Sequence, residues 1–120
     1  MIKVLIVDDQ STIVTSLSYM LRKIATVIPS ESLEEAQSAL SKDKFDLVIS
    51  DLRLTGTDGK EGLELLRHVR TICPETKVIL MTGCGNEAIK KEAYDLGAMH
   101  FYEKPLDISH LLSQVQSLSG

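Results

Sequence analysis

Five short, mainly apolar runs, the first four carrying β-branched residues, each followed by a segment with helical spacing, constrain this chain more than any other feature. "IKVLIV" (residues 2–7) leads into Ile13, Leu17, Met20, Leu21 and Ile24, which share one helical face. "ATVIP" (residues 25–29) reads as an edge strand closed by its proline, and Ser30 or Ser32 is the candidate cap of a helix bearing Leu33, Ala36 and Leu40. "FDLVIS" (residues 45–50) is a third strand. The glycine-rich connection "DLRLTGTDGKEG" then enters a helix with Leu63, Leu66 and Val69, stopped near Cys73–Pro74. "TKVILMT" (residues 76–82) is the fourth strand; Asn86 caps a helix with Ile89, Ala93 and Leu96, and Gly97 ends it. "AMHFY" (residues 98–102) is the fifth, followed from about Asp107 by Ile108, Leu111, Leu112, Val115 and Leu118 on one face. Strands this uniformly apolar must be covered on both sides. The expected class is α/β, a five-stranded doubly wound parallel sheet with helices on both faces.

A chain of 120 residues suits one domain over residues 1–120 with a single sizeable core. With 43% hydrophobic and 25% charged residues, neither disorder nor a membrane span is expected. The net charge is −4 and the densest basic spot is Lys90–Lys91, which argues against direct nucleic-acid binding. Nothing near Met1 reads as a signal peptide, so a cytoplasmic setting is expected. Cys73 and Cys84 have neither ligand nor disulfide spacing, and His68, His100 and His110 are scattered; ordinary thiols and non-ligand imidazoles are expected. "SLSG" (residues 117–120) reads equally as a frayed end or the start of a linker to an effector domain.

In a doubly wound sheet the carboxyl ends of the strands line the ligand crevice, where strand order reverses. Asp8 and Asp9 follow the first strand, Asp51 the third, Thr82 ends the fourth and Lys104 comes just after the fifth. Like charges a few ångströms apart resist joint ionisation unless a cation compensates them, and a hard divalent ion with oxygen ligands suits the three acids. Each residue also has an ordinary reading. An acid pair after a strand is often a helix cap, Asp51 alone is a turn acid, Lys104 alone a solvated lysine, and Thr82 a β-former meeting a loop. Their convergence on one rim favours the metal reading.

The acid pair of "VDD", the Asp after strand three, the Thr after strand four and the "KP" after strand five resemble the receiver domain of bacterial-type response regulators across essentially the whole chain. The resemblance implies strand order 2-1-3-4-5. It implies a domain of a two-component or phosphorelay system that takes a phosphoryl group from a sensor histidine kinase or phosphotransfer protein, or from a small acyl phosphate. Asp51 would be the phosphoacceptor; Asp9 and Asp51 would bind Mg²⁺ (or Mn²⁺) directly, Asp8 mostly through water, and the backbone carbonyl of Arg53 would add an oxygen. Thr82 and Lys104 would contact the phosphoryl oxygens. Thr82 and Phe101 would switch the face built from the fourth helix, fifth strand and fifth helix, where a partner or second copy docks. Such a domain is not an enzyme in the usual sense, because it catalyses its own phosphorylation and dephosphorylation. A cis Lys104–Pro105 bond is part of the same expectation.

The chain departs from the family pattern in places. Thr55 stands where proline is usual, the spacing from Asp51 to Thr82 is longer than common, Gly59 and Gly62 compete for one glycine position, and Arg53 and Cys84 flank the phosphoryl site. Other motifs fail. "TGTDGKEG" breaks the Walker pattern, since Gly59–Lys60 is followed by Glu61. A calcium loop from Asp51 would place Arg53 and Gly62 at ligand positions. A haloacid-dehalogenase-like phosphatase needs an acid where Arg53 stands, and a flavin or nucleotide module wants a phosphate-cradling loop where "DDQST" offers carboxylates. A receiver reduced to a docking module is the remaining alternative, and the intact five residues argue against it.

Overall fold

The computed structural model describes residues 1–52, 61–83, 87–104 and 106–119. The expectations placed on Arg53, Thr55, Gly59, Cys84, Asn86 and the Lys104–Pro105 bond lie outside these residues. The elements alternate as the sequence pattern requires: β1 (Ile2–Val7), α1 (Ser11–Leu21), β2 (Ala25–Ser30), α2 (Leu33–Lys42), β3 (Leu47–Asp51), α3 (Glu61–Ile72), β4 (Lys77–Thr82), α4 (Glu87–Asp95), β5 (His100–Glu103) and α5 (Ile108–Ser119). All pairings are parallel and the strand order is β2-β1-β3-β4-β5.

The two-residue period of the strands sorts their side chains into two cores. Val4 and Ile6 of β1, Leu47 and Ile49 of β3, and Ile79 and Met81 of β4 pack with Leu17 and Leu21 of α1 and Leu111 and Val115 of α5. The alternate residues Leu5, Val7, Val48, Val78 and Leu80 pack with Ala36 of α2, Leu65, Leu66 and Val69 of α3, and Ala93 of α4. Both faces of the central strands are therefore dry, which is why those strands read as unbroken apolar runs. Among the described residues no helix is long and apolar enough to cross a membrane.

Local chemistry sets the element ends. Ser32 caps α2, its hydroxyl accepting from the Glu35 N–H at 3.1 Å, which settles the choice between Ser30 and Ser32. Gly97, at φ +102°, takes the left-handed conformation that closes α4. Several boundaries differ from expectation, three of them with a clear physical cause. Pro29 lies inside β2, paired with Ile6, and is tolerated because β2 is an edge strand with no second neighbour needing its missing N–H. Phe45 is buried ahead of β3, where Asp46 already bonds to the Lys3 carbonyl at 2.9 Å. β5 begins two residues late because the Ala98 N–H closes onto the Ala93 carbonyl of α4 at 3.0 Å.

Of the two competing glycines, Gly62 has a packing role that can be read directly. Its N–H donates to the Leu52 carbonyl at 2.8 Å. A β-carbon there would lie 2.7 Å from Leu52 Cα and 2.8 Å from the Asp51 carbonyl oxygen, both backbone atoms. Alanine inside a helix gains up to about 1 kcal/mol over glycine, whereas overpacking against backbone costs about 1–3 kcal/mol. The clash wins. Net of that gain, Gly62→Ala is expected to lower the unfolding free energy in urea by up to about 2 kcal/mol, whereas Gly83→Ala, with nothing among the described residues within 4 Å of its added carbon, meets no such clash.

Candidate metal and phosphoacceptor site

The parallel sheet brings the ends of β1, β3, β4 and β5 to one rim, and the order reverses between β1 and β3. Asp8 directly follows β1, with its N–H donating to the Ser30 carbonyl of β2 at 3.0 Å. Asp51 is the last residue of β3, and the next N–H, from Leu52, donates to the Met81 carbonyl at 2.7 Å. Asp8 and Asp51 are thus anchored by sheet-like backbone bonds, whereas Asp9 sits on the bend that follows. One carboxylate oxygen each from Asp8, Asp9 and Asp51 lies within 4.8 Å of the others. Asp8 is fully buried, Asp51 nearly so, and Asp9 exposed.

Lys104 crosses this rim from the end of β5. Its Nζ lies 3.1 Å from Asp51 Oδ2, and 3.4 Å from both Asp8 Oδ2 and Gln10 Oε1. Its N–H donates to the Thr82 carbonyl at 2.8 Å, so the lysine and the end of β4 are held together. Thr82 is buried at that end. Phe101 is buried on the opposite side of β5 from Tyr102, in the same core as Ala93 of α4, and its N–H donates to the Tyr94 hydroxyl at 3.1 Å.

Asp8, Asp9, Asp51, Thr82 and Lys104 therefore share one rim, and Phe101 lies one layer behind it. Sequence reasoning missed Gln10 and Tyr94. Gln10 follows the acid pair at the cap position of α1, yet its side chain caps nothing there, which is compatible with its amide turning to Lys104. Tyr94 carries no sequence signal, because its link to β5 arises only once α4 is docked.

Burial is the main cause that pushes the Asp8 carboxyl above its ordinary value of 3.8. The Asp51 charge adds to this, while the Gln10 N–H at 2.9 Å and the Lys104 ammonium oppose it. A buried carboxyl that holds its proton too tightly is a site short of positive charge. Three carboxylates offer the hard oxygen donors that a small divalent ion takes, so the donor set fits Mg²⁺.

Because folding favours protonated Asp8, its contribution to stability is present at acidic pH and is lost as pH rises from about 3.8 through the raised value. Asp8→Asn keeps an oxygen for the Gln10 N–H and removes the charge. In chelator at neutral pH it is expected to raise the melting temperature by a few degrees and to flatten that part of the pH–stability curve. A variant that melts lower than wild type at neutral pH would show that the Lys104 pairing outweighs the cost of burial.

A profile of the response regulator receiver domain matches residues 4–116. The chain is 33% identical over 116 residues to sporulation initiation phosphotransferase F of Bacillus subtilis, covering 95% of this chain and 90% of that protein. It is 34% identical to the response regulator protein PilR of Pseudomonas aeruginosa over 91% of this chain, but spans only 24% of PilR. The solution structure of the beryllofluoride-activated NtrC4 receiver domain dimer superposes with a TM-score of 0.88 at 26% identity, covering 99% of this chain and 97% of that one. Five parallel strands in the order seen here, an acidic rim at their carboxyl ends and a profile match over nearly the full length agree: the chain belongs to the receiver domain family of two-component response regulators.

Proposed function

We propose that Asp51 is the phosphoacceptor of this receiver domain, in a pocket where Asp8, Asp9 and the Arg53 carbonyl complete an Mg²⁺ site, with Mn²⁺ as a substitute. The observation that carries the reading is the position of the Asp51 carboxylate, at the end of the central strand, 3.1 Å from Lys104 Nζ and within 4.8 Å of the acid pair. A carboxylate oxygen of Asp51 attacks the phosphorus of a phosphohistidine; the new P–O bond forms as the P–N bond breaks, and the imidazole takes up a proton. When bound, Mg²⁺ offsets the repulsion between the carboxylates and the incoming phosphoryl oxygens. Lys104 supplies a fixed positive charge beside the acceptor oxygen, and the Thr82 hydroxyl donates to a phosphoryl oxygen. The reaction is the domain's own modification, not turnover of a diffusible substrate.

The donor is a sensor histidine kinase or a phosphotransfer protein, in keeping with the relative named a phosphotransferase. An apolar groove of about 410 Å³ lined by Ile13, Leu17, Met20, Leu106 and Ile108 opens beside Lys104. A helix with an apolar face would seat there and bring its histidine to the acidic rim. The same reading makes residues 1–120 a single domain in a cytoplasmic setting, without direct nucleic-acid contact, whose α4-β5-α5 face is the output or homodimer surface.

Acetyl phosphate with Mg²⁺ is expected to add one phosphate by intact mass, and Asp51→Asn to abolish the gain. Stoichiometric labelling of that variant at another carboxylate would overturn the assignment. For the switch, beryllofluoride with Mg²⁺ is expected to perturb amides over residues 83–97 and 101–106, with Thr82→Ala binding the analogue but transmitting less of the change. Shifts confined to the phosphate shell in wild type would mean that phosphate is accepted without this switch.

A further inference from the structure

The folded chain brings together two of the three histidines that look scattered in the sequence. His100 and Tyr102 are two apart on β5 and point to the same side, and His110 comes from the first turn of α5. The His100 and His110 ring centroids are 5.1 Å apart and nearly perpendicular. Tyr102 stacks on His100 at 5.5 Å, and its hydroxyl lies 2.6 Å from His110 Nδ1. His100 and Tyr102 are half-buried and His110 is exposed, so water reaches the cluster.

From this geometry we propose that His100 and His110 form a surface site for one borderline transition-metal cation of the Zn²⁺ or Cu²⁺ class, outside the acidic rim. Two imidazoles sharing an ion through nitrogen–metal bonds of about 2.0–2.1 Å have ring centroids about 5 Å apart, the separation found here. Imidazole nitrogen selects these ions, whereas the carboxylates at the rim select Mg²⁺. Tyr102 is a positioning residue. With Nδ1–H donating to the phenol oxygen, the His110 tautomer leaves the Nε2 lone pair for the ion, and the bond holds the ring against rotation. Burial, followed by the nearby Asp107 and Tyr94, pushes the Tyr102 phenol above its ordinary value and keeps it in the neutral, hydrogen-bonding form.

The start of α5 is a poor place for a cation on dipole grounds alone. Asp107 opposes that field. Its carboxylate accepts from the His110 N–H at 3.1 Å and brings a negative charge next to the cluster. Waters fill the remaining coordination positions. A bound ion would tie β5 to the first turn of α5, beside the switch strand of the proposed output face, yet its binding does not require Asp51 to accept phosphate.

Calorimetry with ZnCl₂ on the untagged chain in excess Mg²⁺ tests this. One Zn²⁺ per chain is expected, with amide shifts centred on residues 100–110. His100→Gln and His110→Gln should each weaken binding by about tenfold or more, and an Asp9→Asn, Asp51→Asn double variant should leave it within about twofold. Long-range ¹⁵N NMR should show His110 protonated on Nδ1 in wild type and a mixed tautomer in Tyr102→Phe. Absence of saturable binding, binding unchanged in both histidine variants, or binding lost in the acid double variant would each overturn the site.

Discussion

The Lys104 ammonium, placed between Asp8 and Asp51, is the contact on which the carboxyl-terminal rim depends. Two carboxylates almost entirely out of water repel each other, and a positive charge set between them offsets that repulsion. A lysine supplies that charge from a flexible stem, so under the proposed function the compensation would be handed over as a metal ion or a phosphoryl group arrived, the ammonium moving from carboxylate to phosphate. The backbone bond from Lys104 to Thr82 makes that movement mechanically connected to the end of β4.

The division of the core follows from the same strands. Each central strand contributes to two separate apolar layers, one shared with α1 and α5 and the other with α2, α3 and α4. The acids emerge where these layers end, so their carboxylates are held by strands packed on both sides. Phe101 belongs to the α4 layer and not to the α5 layer. A change at the end of β4 can therefore reach α4 through a buried ring while α5 keeps its own packing.

Much of this was legible in the sequence because it depends on period and strand ends. The two-sided strands announced themselves as runs such as Ile2–Val7, and the rim residues could be placed together because a parallel sheet puts every carboxyl end on one side. What escaped were contacts set by how helices dock. The meeting of His100 with His110 depends on the angle of α5 to β5, and the Tyr94 hydroxyl reaches β5 only because α4 ends at Gly97. Residue type alone did not reveal the packing role of Gly62, since it lies in backbone atoms of Leu52 and Asp51 that no spacing rule locates. Pro29 was expected to close the edge strand β2, yet its missing N–H is needed by no second neighbour there, so the strand runs one residue further.

That proline has a wider consequence. An open sheet offers two free borders on which a foreign strand could add by backbone pairing, the first step toward uncontrolled polymerisation. On the β2 border Pro29 offers no N–H to such a strand, and on the β5 border the Phe101 N–H is engaged by Tyr94. With both borders obstructed by side-chain chemistry, strand addition is disfavoured and helical surfaces become the natural means of association. Association through helices also carries selectivity, because helix faces differ in residue and charge from one protein to another, while backbone edges are alike in all of them.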